Sequence, residues 1–173
     1  MTDSPDREPL RSRLKSHVGW WMGIIAAIAG ILAFAVTYAE KNPSFAEWKA
    51  KAISVCEKEV PGIVRQMRET NDALSPLYDD DYTKAELRRA ADSAQDTSDA
   101  TSHFAGGLRD LKLPDDNRDT VADLITSASE MARLYRVFAE GMYDGEFNLD
   151  NSTASADAAT RFADQIDTGL GTC

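Results

Sequence analysis

The chain has few of the side chains from which enzyme and metal sites are built. It contains two histidines and two cysteines in 173 residues. His17 lies in a short basic tail and His103 in a helical pattern far along the chain, so no nucleophile and base can be assembled around them. No HExxH sequence, zinc-ligand spacing or phosphate-binding glycine loop is present. We therefore expect a protein that is not an enzyme and has no cofactor or metal centre.

Positive charge is also scarce. The chain has 19 Lys and Arg against 29 Asp and Glu, which gives a net charge of −10. Most of the excess follows residue 39, where 26 acidic side chains stand against 15 basic ones. Such a surface repels nucleic acid and anionic lipid, so neither is an expected partner. High solubility explains the charge equally well.

A single long apolar run, Val18–Tyr38, contains no charged residue. A helix of that length crosses a hydrocarbon core of about 30 Å, and aromatic rings stand at both of its ends, where they prefer the headgroup region. Four basic residues precede the run, which favours a cytoplasmic N-terminus, although three lysines follow it closely. We predict a cytoplasmic tail over 1–17, a single-pass plasma-membrane helix over 18–39 and an extracytoplasmic domain over 40–173.

A cleaved signal peptide is the alternative explanation of this run. Ala33-Phe34-Ala35 has the small-x-small pattern that signal peptidase accepts. The apolar segment would, however, be longer than the roughly 7 to 15 residues that are typical of secretory signals. We expect the run to remain uncleaved and the lipid bilayer to be its first partner.

Small residues follow one face of the predicted membrane helix, at Gly19, Gly23, Ala27 and Gly30. A stripe of this kind lets two helix backbones approach closely. It predicts a partner helix, and a homodimer is one form that this pairing could take. The alternative is that glycine and alanine are simply common in membrane helices.

The part of the chain after residue 39 has no strand pattern, no repeat and no low-complexity tract. Its apolar residues recur at helical spacing, and the connections near 77–82, 112–115 and 145–151 are short, so neighbouring helices should be antiparallel. The predicted fold is all-α: a transmembrane helix followed by an up-down-up-down four-helix bundle. Capping boxes predict helix starts at Ser44 with Glu47 and at Thr83 with Glu86, and the third and fourth helices are expected to begin near Asp115 and at about Ser152.

Each predicted helix has one apolar face that should form the core of the bundle. The third helix has the strongest amphipathic pattern, whereas the middle of the second is poor in large apolar side chains. The expected core positions are Phe45, Trp48, Ala52, Val55, Val60, Ile63, Met67 and Leu74; Leu87, Ala91, Ala94, Thr101, Phe104, Leu108 and Leu111; Val121, Leu124, Ala128, Met131, Tyr135, Phe138 and Met142; and Ala156, Ala159, Phe162, Ile166 and Leu170.

Gly106 and Gly107 lie inside the second predicted helix, where each costs roughly 1 kcal/mol relative to alanine. Something should therefore justify the pair. Counting levels along antiparallel helices places it opposite the lower part of the first helix, around Trp48. We expect close packing of that ring against the glycines, with a hinge as the alternative.

The two cysteines test the predicted topology. Both follow the membrane run, on the side where thiols meet oxidising conditions and tend to pair. If the fourth helix descends beside the first, Cys173 and Cys56 both lie about 30 Å below the upper end of the bundle, at about 1.5 Å per residue. We predict a structural Cys56–Cys173 disulfide, because the CxxC spacing of a redox pair is absent.

Two loops meet at the end of the predicted bundle farthest from the membrane helix. Both combine acidic side chains with aromatic rings, and such rings are enriched in binding hot spots. The acids also have a purely structural explanation, because they stabilise helix N-termini, and the rings could simply close the core. A divalent cation is a weaker alternative, since no EF-hand spacing is present. The candidate partner or cation surface consists of Tyr78, Asp79, Asp80, Asp81, Tyr82, Tyr143, Asp144, Glu146 and Phe147, with Asp150 at its edge.

Several local features resemble those of a known group of proteins. Trp48 and Cys56 in the first outer helix, the LKLP segment Leu111–Pro114 and the closing GLGTC are similar to small membrane-anchored or lipoprotein-type helical envelope proteins of actinobacteria. The resemblance covers most of the outer domain. It implies a cell-envelope location and brings no activity with it. The chain departs from the lipoprotein members because it lacks a lipid-attachment cysteine.

These features predict an envelope protein that binds other proteins. In this interpretation the chain is an accessory subunit of a membrane or envelope complex, and its partner is an unknown membrane or envelope protein. The alternative is a bundle that senses a small molecule or cation at its acidic end. The tail over 1–17 is too short to hold a cytoplasmic output domain, which favours the first interpretation.

Overall fold

Four long helices account for most of the chain that the computed structural model describes, which is residues 42–78 and 81–171. No strand occurs in these two ranges, so the all-α, four-helix prediction is confirmed for this part of the chain. The helices are α1 (Phe45–Leu74), α2 (Lys84–Arg109), α3 (Arg118–Tyr143) and α4 (Leu149–Gly169), and a short 3₁₀ helix, Ser75–Tyr78, follows α1.

The predicted membrane helix lies outside the described residues, as do its small-residue positions Gly19, Gly23, Ala27 and Gly30. Within the described ranges, no helix is both long enough and apolar enough to cross a membrane. The membrane anchor therefore stays a prediction from the sequence.

The first two helices begin where their capping boxes predict. The Glu47 N–H donates to Ser44 Oγ at 3.4 Å, and the Ser44 N–H donates to Glu47 Oε2 at 2.8 Å. The same reciprocal pair joins Thr83 and Glu86, at 3.2 and 2.7 Å. Each glutamate accepts backbone and hydroxyl hydrogen bonds in its charged form, and these hold its pKa below the usual range. Two orphan N–H groups are thereby satisfied at each helix start.

The third and fourth helices begin at other residues than predicted. Asp115 lies outside α3, and its carboxylate accepts a hydrogen bond of 2.6 Å from Asn42 Nδ2. α3 starts three residues later, after Asn117, whose φ of 53° is left-handed and ends the preceding loop. α4 starts at Leu149 rather than Ser152. The reason is that Asn148 Oδ1 accepts hydrogen bonds from the N–H groups of Asp150 and Asn151 and thereby caps the helix.

Polar contacts between the helices show that α2 runs antiparallel to α1 and is joined to α3. Thr70, near the end of α1, lies 2.9 Å from Thr97 on α2, whereas Glu59 farther back meets His103 at 3.2 Å. The hydroxyl of Ser98 on α2 donates to the Ala132 carbonyl of α3 at 2.7 Å. Among the described residues, backbones approach closely only between consecutive helices. The backbones of α1 and α4 do not approach each other closely.

The predicted core is correct in α3 and mostly correct elsewhere. All seven predicted positions of α3 are buried. In α4 the prediction that Ala156 belongs to the core is wrong, because Ala156 is exposed. Ser155 and Ala158, which flank it in the sequence, are buried instead. The Ser155 hydroxyl is satisfied inside its own helix by donating to the Asn151 carbonyl at 2.8 Å, so a serine can occupy this core position.

Hydroxyl groups fill the middle of α2, where the sequence has few large apolar residues. Thr97, Ser98 and Thr101 are buried, and each hydroxyl has a hydrogen-bond partner. The Thr70 hydroxyl of α1 joins this group through Thr97 and also contacts the carbonyl of Ser93 at 2.9 Å. Buried hydroxyls without partners would be costly, so this network aligns α1, α2 and α3 at one level.

Two aromatic contacts lie in the lower half of the core. Phe104 of α2 meets Phe162 of α4 edge to face at 5.4 Å, so these diagonal helices touch through their rings. Trp48 is almost completely buried and stacks on Phe45 at 6.0 Å. Burial of such large side chains supplies much of the hydrophobic stabilisation that the alanine-rich positions of α2 cannot.

The neighbour of the glycine pair is not the Trp48 ring that the sequence predicts. A Cβ atom added at Gly107 would lie 3.0 Å from Val55 Cγ1, whereas one added at Gly106 would meet nothing within 4 Å. Gly107 thus permits close approach of α1 and α2 at Val55. Gly106 has no such packing role.

Cys56 is fully buried on α1, and no described cysteine is a free thiol. Cys173 lies outside the described residues. The pairing of Cys56 with Cys173 therefore stays a prediction. If it forms, it joins α1 to the chain that follows α4, and these two helices have no close backbone contact.

The glycine pair provides a matched test of α1–α2 packing. Gly106→Ala should raise the free energy of unfolding by about 0.5 to 1 kcal/mol, because alanine favours helix and the site is open. Gly107→Ala should give a clearly smaller gain or a loss, because its Cβ crowds Val55. Denaturant unfolding of both variants measures the difference. Adding Val55→Ala should abolish it, and equal effects of the two single variants would contradict this packing.

The disulfide prediction is tested by mass and by stability. The oxidised chain should be lighter than the reduced chain by two hydrogens, and Cys173→Ser should lower the free energy of unfolding by up to about 4 kcal/mol, because the bond closes a long loop. Ser54→Ala, at an exposed position on α1, is the control and should change little. An intact mass that reductant does not alter would show that the bond is absent.

Candidate functional site at the tip of the bundle

A turn at Gly145 ends α3 and reverses the chain over one end of the bundle. We call this end of the bundle the tip. Gly145 has φ of +95°, a conformation that side chains with a Cβ rarely adopt. Its N–H donates to the Met142 carbonyl at 3.1 Å, and the Glu146 N–H donates to the Gly141 carbonyl at 2.9 Å. This is the Schellman pattern of a helix C-terminus. The turn places Phe147, two residues on, over the core.

The Phe147 ring gathers aromatic side chains from the other segments that meet at the tip. It contacts Tyr78 at 5.5 Å and Tyr82 at 6.4 Å, both edge to face, and Phe138 of α3 at 6.1 Å. Edge-to-face pairs are favoured by the ring quadrupoles. Tyr78 follows α1, Tyr82 precedes α2 and Phe147 precedes α4, whereas Phe138 belongs to α3 itself.

Tyr78 and Leu149 leave apolar surface exposed beside this cluster. Tyr78 is 58% exposed, and its hydroxyl lies 3.3 Å from Ser152 Oγ on α4. Leu149 is 59% exposed and lies one turn before Ser152 on the same helix face. We call Tyr78, Phe147 and Leu149 the tip patch. Its tyrosine is held in place while its outer surface faces solvent.

Tyr143 forms a second exposed aromatic position, which is attached to α2. Its hydroxyl donates to Asp92 Oδ1 at 2.7 Å, and the Arg88 guanidinium lies 5.8 Å from its ring centre. The hydrogen bond to the Asp92 carboxylate favours the neutral phenol and therefore raises the pKa of Tyr143. Partial burial raises this pKa further. The tyrosine is still 45% exposed.

Acidic side chains surround the tip patch without basic partners. Asp81, Asp144, Glu146 and Asp150 are exposed, and none of them takes part in an ion pair within the described ranges. The predicted members Asp79 and Asp80 lie outside those ranges. The described residues contain no group of three or more His, Cys, Asp or Glu side chains that could hold a metal ion. Nothing in this part of the chain thus favours the cation alternative.

Outside the tip, two open grooves run between neighbouring helices. The α3–α4 groove, of about 440 Å³, has three carboxylates and Arg161 on its walls, with Ala158 between the helices. The α1–α2 groove, of about 360 Å³, is lined by Glu69, Asp72 and Arg89 among others. Ligand sites are usually concave and largely apolar with few polar groups, so these charged, open grooves do not resemble one. His103 is also exposed, and its Nδ1 lies 3.2 Å from Glu59 Oε2.

The structure brings most of the described candidate residues to one end, and it adds side chains that the sequence pattern did not indicate. Leu149 was missed because the fourth helix was placed three residues too late. An Asn directly before an acidic first turn was the available signal for the true start. Arg88 and Asp92 are four residues apart on α2 and therefore share a face, but nothing in their spacing indicates that a tyrosine from α3 lies over them.

No protein-family model, curated protein or solved structure matches the chain. The resemblance to actinobacterial envelope proteins therefore stays a prediction.

The Tyr143 hydrogen bond gives a pH-dependent prediction. An unfolded tyrosine has a pKa near about 10, so a raised pKa in the folded protein stabilises it below that pH. This contribution should be lost as the pH rises through the folded pKa. Asp92→Asn should lower the pKa of Tyr143, which is measured as the phenolate absorbance that Tyr143→Phe removes. Asp96→Asn is the control, because Asp96 has a smaller effect, and an unchanged titration in Asp92→Asn would contradict the assignment.

Proposed function

We propose that this protein is a membrane-anchored, extracytoplasmic interaction module that binds an envelope protein through its tip. In this role it is an accessory subunit of a membrane or envelope complex. The observation that carries the proposal is the tip patch, in which Tyr78 and Leu149 are exposed and Tyr78 is held in place by Phe147 and Ser152. Three of the five large apolar side chains that are most exposed in the described ranges, Tyr78, Tyr143 and Leu149, lie at this end.

The organisation of the tip patch supports binding to a protein. Aromatic side chains dominate the energy of many protein interfaces, and a ring that is already immobilised loses less entropy when a partner binds. Tyr78 contacts the Phe147 ring on one side and Ser152 at its hydroxyl. A ring needed only to close the core could be buried, whereas more than half of the Tyr78 surface faces solvent.

The way in which the chain enters the bundle supports a role for the anchor. Asn42 bonds to Asp115, the Pro43 carbonyl accepts from the Asp115 N–H at 3.3 Å, and the Phe45 N–H donates to Asp116 at 2.7 Å. The segment that follows the predicted membrane run is thus held against the α2–α3 loop. In the proposal, the run over 18–39 crosses the plasma membrane once with the N-terminus in the cytoplasm.

The membrane helix is a second contact in the proposal. Its face of Gly19, Gly23, Ala27 and Gly30 would pack against a partner helix or against a second copy of the chain. The alternative function is the sensing of a small molecule or cation, but the described residues contain no group of three or more His, Cys, Asp or Glu side chains that could hold a metal ion.

Site-specific cross-linking tests the proposed function. A photoreactive residue at position 149 of the full-length chain should give a reproducible cross-link to one envelope protein in native membranes, because Leu149 is exposed on the tip patch. The same residue at position 64 is the matched control, because Val64 is 40% exposed on α1. Purification in mild detergent should recover the same partner with the wild-type chain, and Tyr78→Ala should reduce the recovery.

Two results would contradict this function. One is a cross-link pattern that does not differ between positions 149 and 64. The other is recovery of the wild-type chain as a monomer with no reproducible partner.

A further inference from the structure

We infer that the tip binds a cationic protein segment that inserts an aliphatic or aromatic side chain against the tip patch. The inference rests on the proposed function and deepens it by assigning the chemistry of the partner. Two independent features of the tip support it. One is an excess of acidic side chains without basic partners, and the other is the exposed apolar surface of the tip patch among them.

Acidic side chains outnumber basic ones at the tip. The described residues of the segments 78–89 and 143–151 include five acidic and three basic residues. Of the basic residues, Arg88 lies over the Tyr143 ring. Of the acids, Glu86 is used by its capping box, but Asp144 and Glu146 have no side-chain partner in the described ranges. A partner with positive charge would therefore find free carboxylates in the loop that carries Phe147.

The tip patch lies near the acidic side chains, and this combination limits the class of ligand that the tip could bind. Leu149 is as exposed as Tyr78, and both belong to the tip patch. A simple cation gains little from an exposed leucine, whereas a polypeptide segment can present a lysine or arginine and an apolar side chain together. Nucleic acid is repelled by the carboxylates, and so is anionic lipid. A protein segment satisfies both features.

The same charge argues against a second copy of this chain at the tip. Two tips placed face to face would bring Asp144, Glu146 and Asp150 of each copy close to their counterparts. Like charges in an interface are unfavourable and suppress the pairing. If the chain forms a dimer through its membrane helix, that contact leaves the inferred tip partner unaffected.

Three synthetic peptides of equal length test the inference on the full-length chain in nanodiscs of uncharged lipid. The first alternates Lys and Leu, the second Glu and Leu, and the third Lys and Ser. Binding is followed by NMR through the shifts of residues 78, 147 and 149, so that peptide bound only to lipid is not counted. We expect saturable shifts with the Lys/Leu peptide, at least about tenfold weaker binding of the Lys/Ser peptide, and no binding of the Glu/Leu peptide.

Paired variants separate charge from apolar contact. Asp144→Asn with Glu146→Gln should weaken binding of the Lys/Leu peptide by about threefold to tenfold at low salt and reduce its salt dependence. Leu149→Ser should weaken binding with the salt dependence retained. The matched controls are Glu57→Gln and Val64→Ser, exposed positions of α1 that should leave binding unchanged.

The possible failures differ in what they overturn. Equal binding of the Glu/Leu and Lys/Leu peptides, or equal losses in the control variants, would overturn the cationic partner. If position 149 still cross-links to one envelope protein in native membranes, the proposed function stands and only its partner chemistry is wrong. A cross-linked segment that is neutral or acidic would likewise overturn the cationic partner and leave the proposed function standing.

Discussion

The contact of the Phe147 ring with Tyr78, Tyr82 and Phe138 is the interaction on which the end of the bundle depends. This cluster joins four parts of the chain: the segment after α1, the segment before α2, the helix α3 and the segment before α4. The left-handed Gly145 makes it possible, because a helix that continued past Tyr143 would carry Phe147 away from the core. The exposed patch is a consequence, since Tyr78 is positioned by its contact with Phe147.

The rest of the bundle is held together by less conspicuous packing. α2 carries alanines, threonines and serines where most bundles have leucine, and it packs closely against both α1 and α3. Small residues allow close approach, and the hydroxyl network around Thr97 fixes the level of three helices. Between α1 and α4 the backbones stay farther apart. A Cys56–Cys173 bond would link α1 to the end of α4, two helices whose backbones do not approach closely.

Local sequence signals predicted most of the fold, and they failed where distant segments compete for a residue. Ser44 and Thr83 act within four residues of themselves, so their caps could be predicted. Asp115 looked like a helix start, but its carboxylate is used by Asn42, which is 73 positions away along the chain. The tip shows the same division. Its two loops followed from helix lengths, whereas the exposure of Leu149 and the contact of Tyr143 with Asp92 depend on packing that no local pattern records.

The central claim is that the tip is covered by a partner in the native membrane, and oxidative footprinting of side chains measures this directly. Tyr78 and Leu149 of the full-length chain should be oxidised less in native membranes than after purification to the isolated protein. Val64, which is also exposed, should be oxidised equally in both. Equal oxidation of Tyr78 and Leu149 in the two states would contradict the claim, because it would show that nothing covers the tip in native membranes.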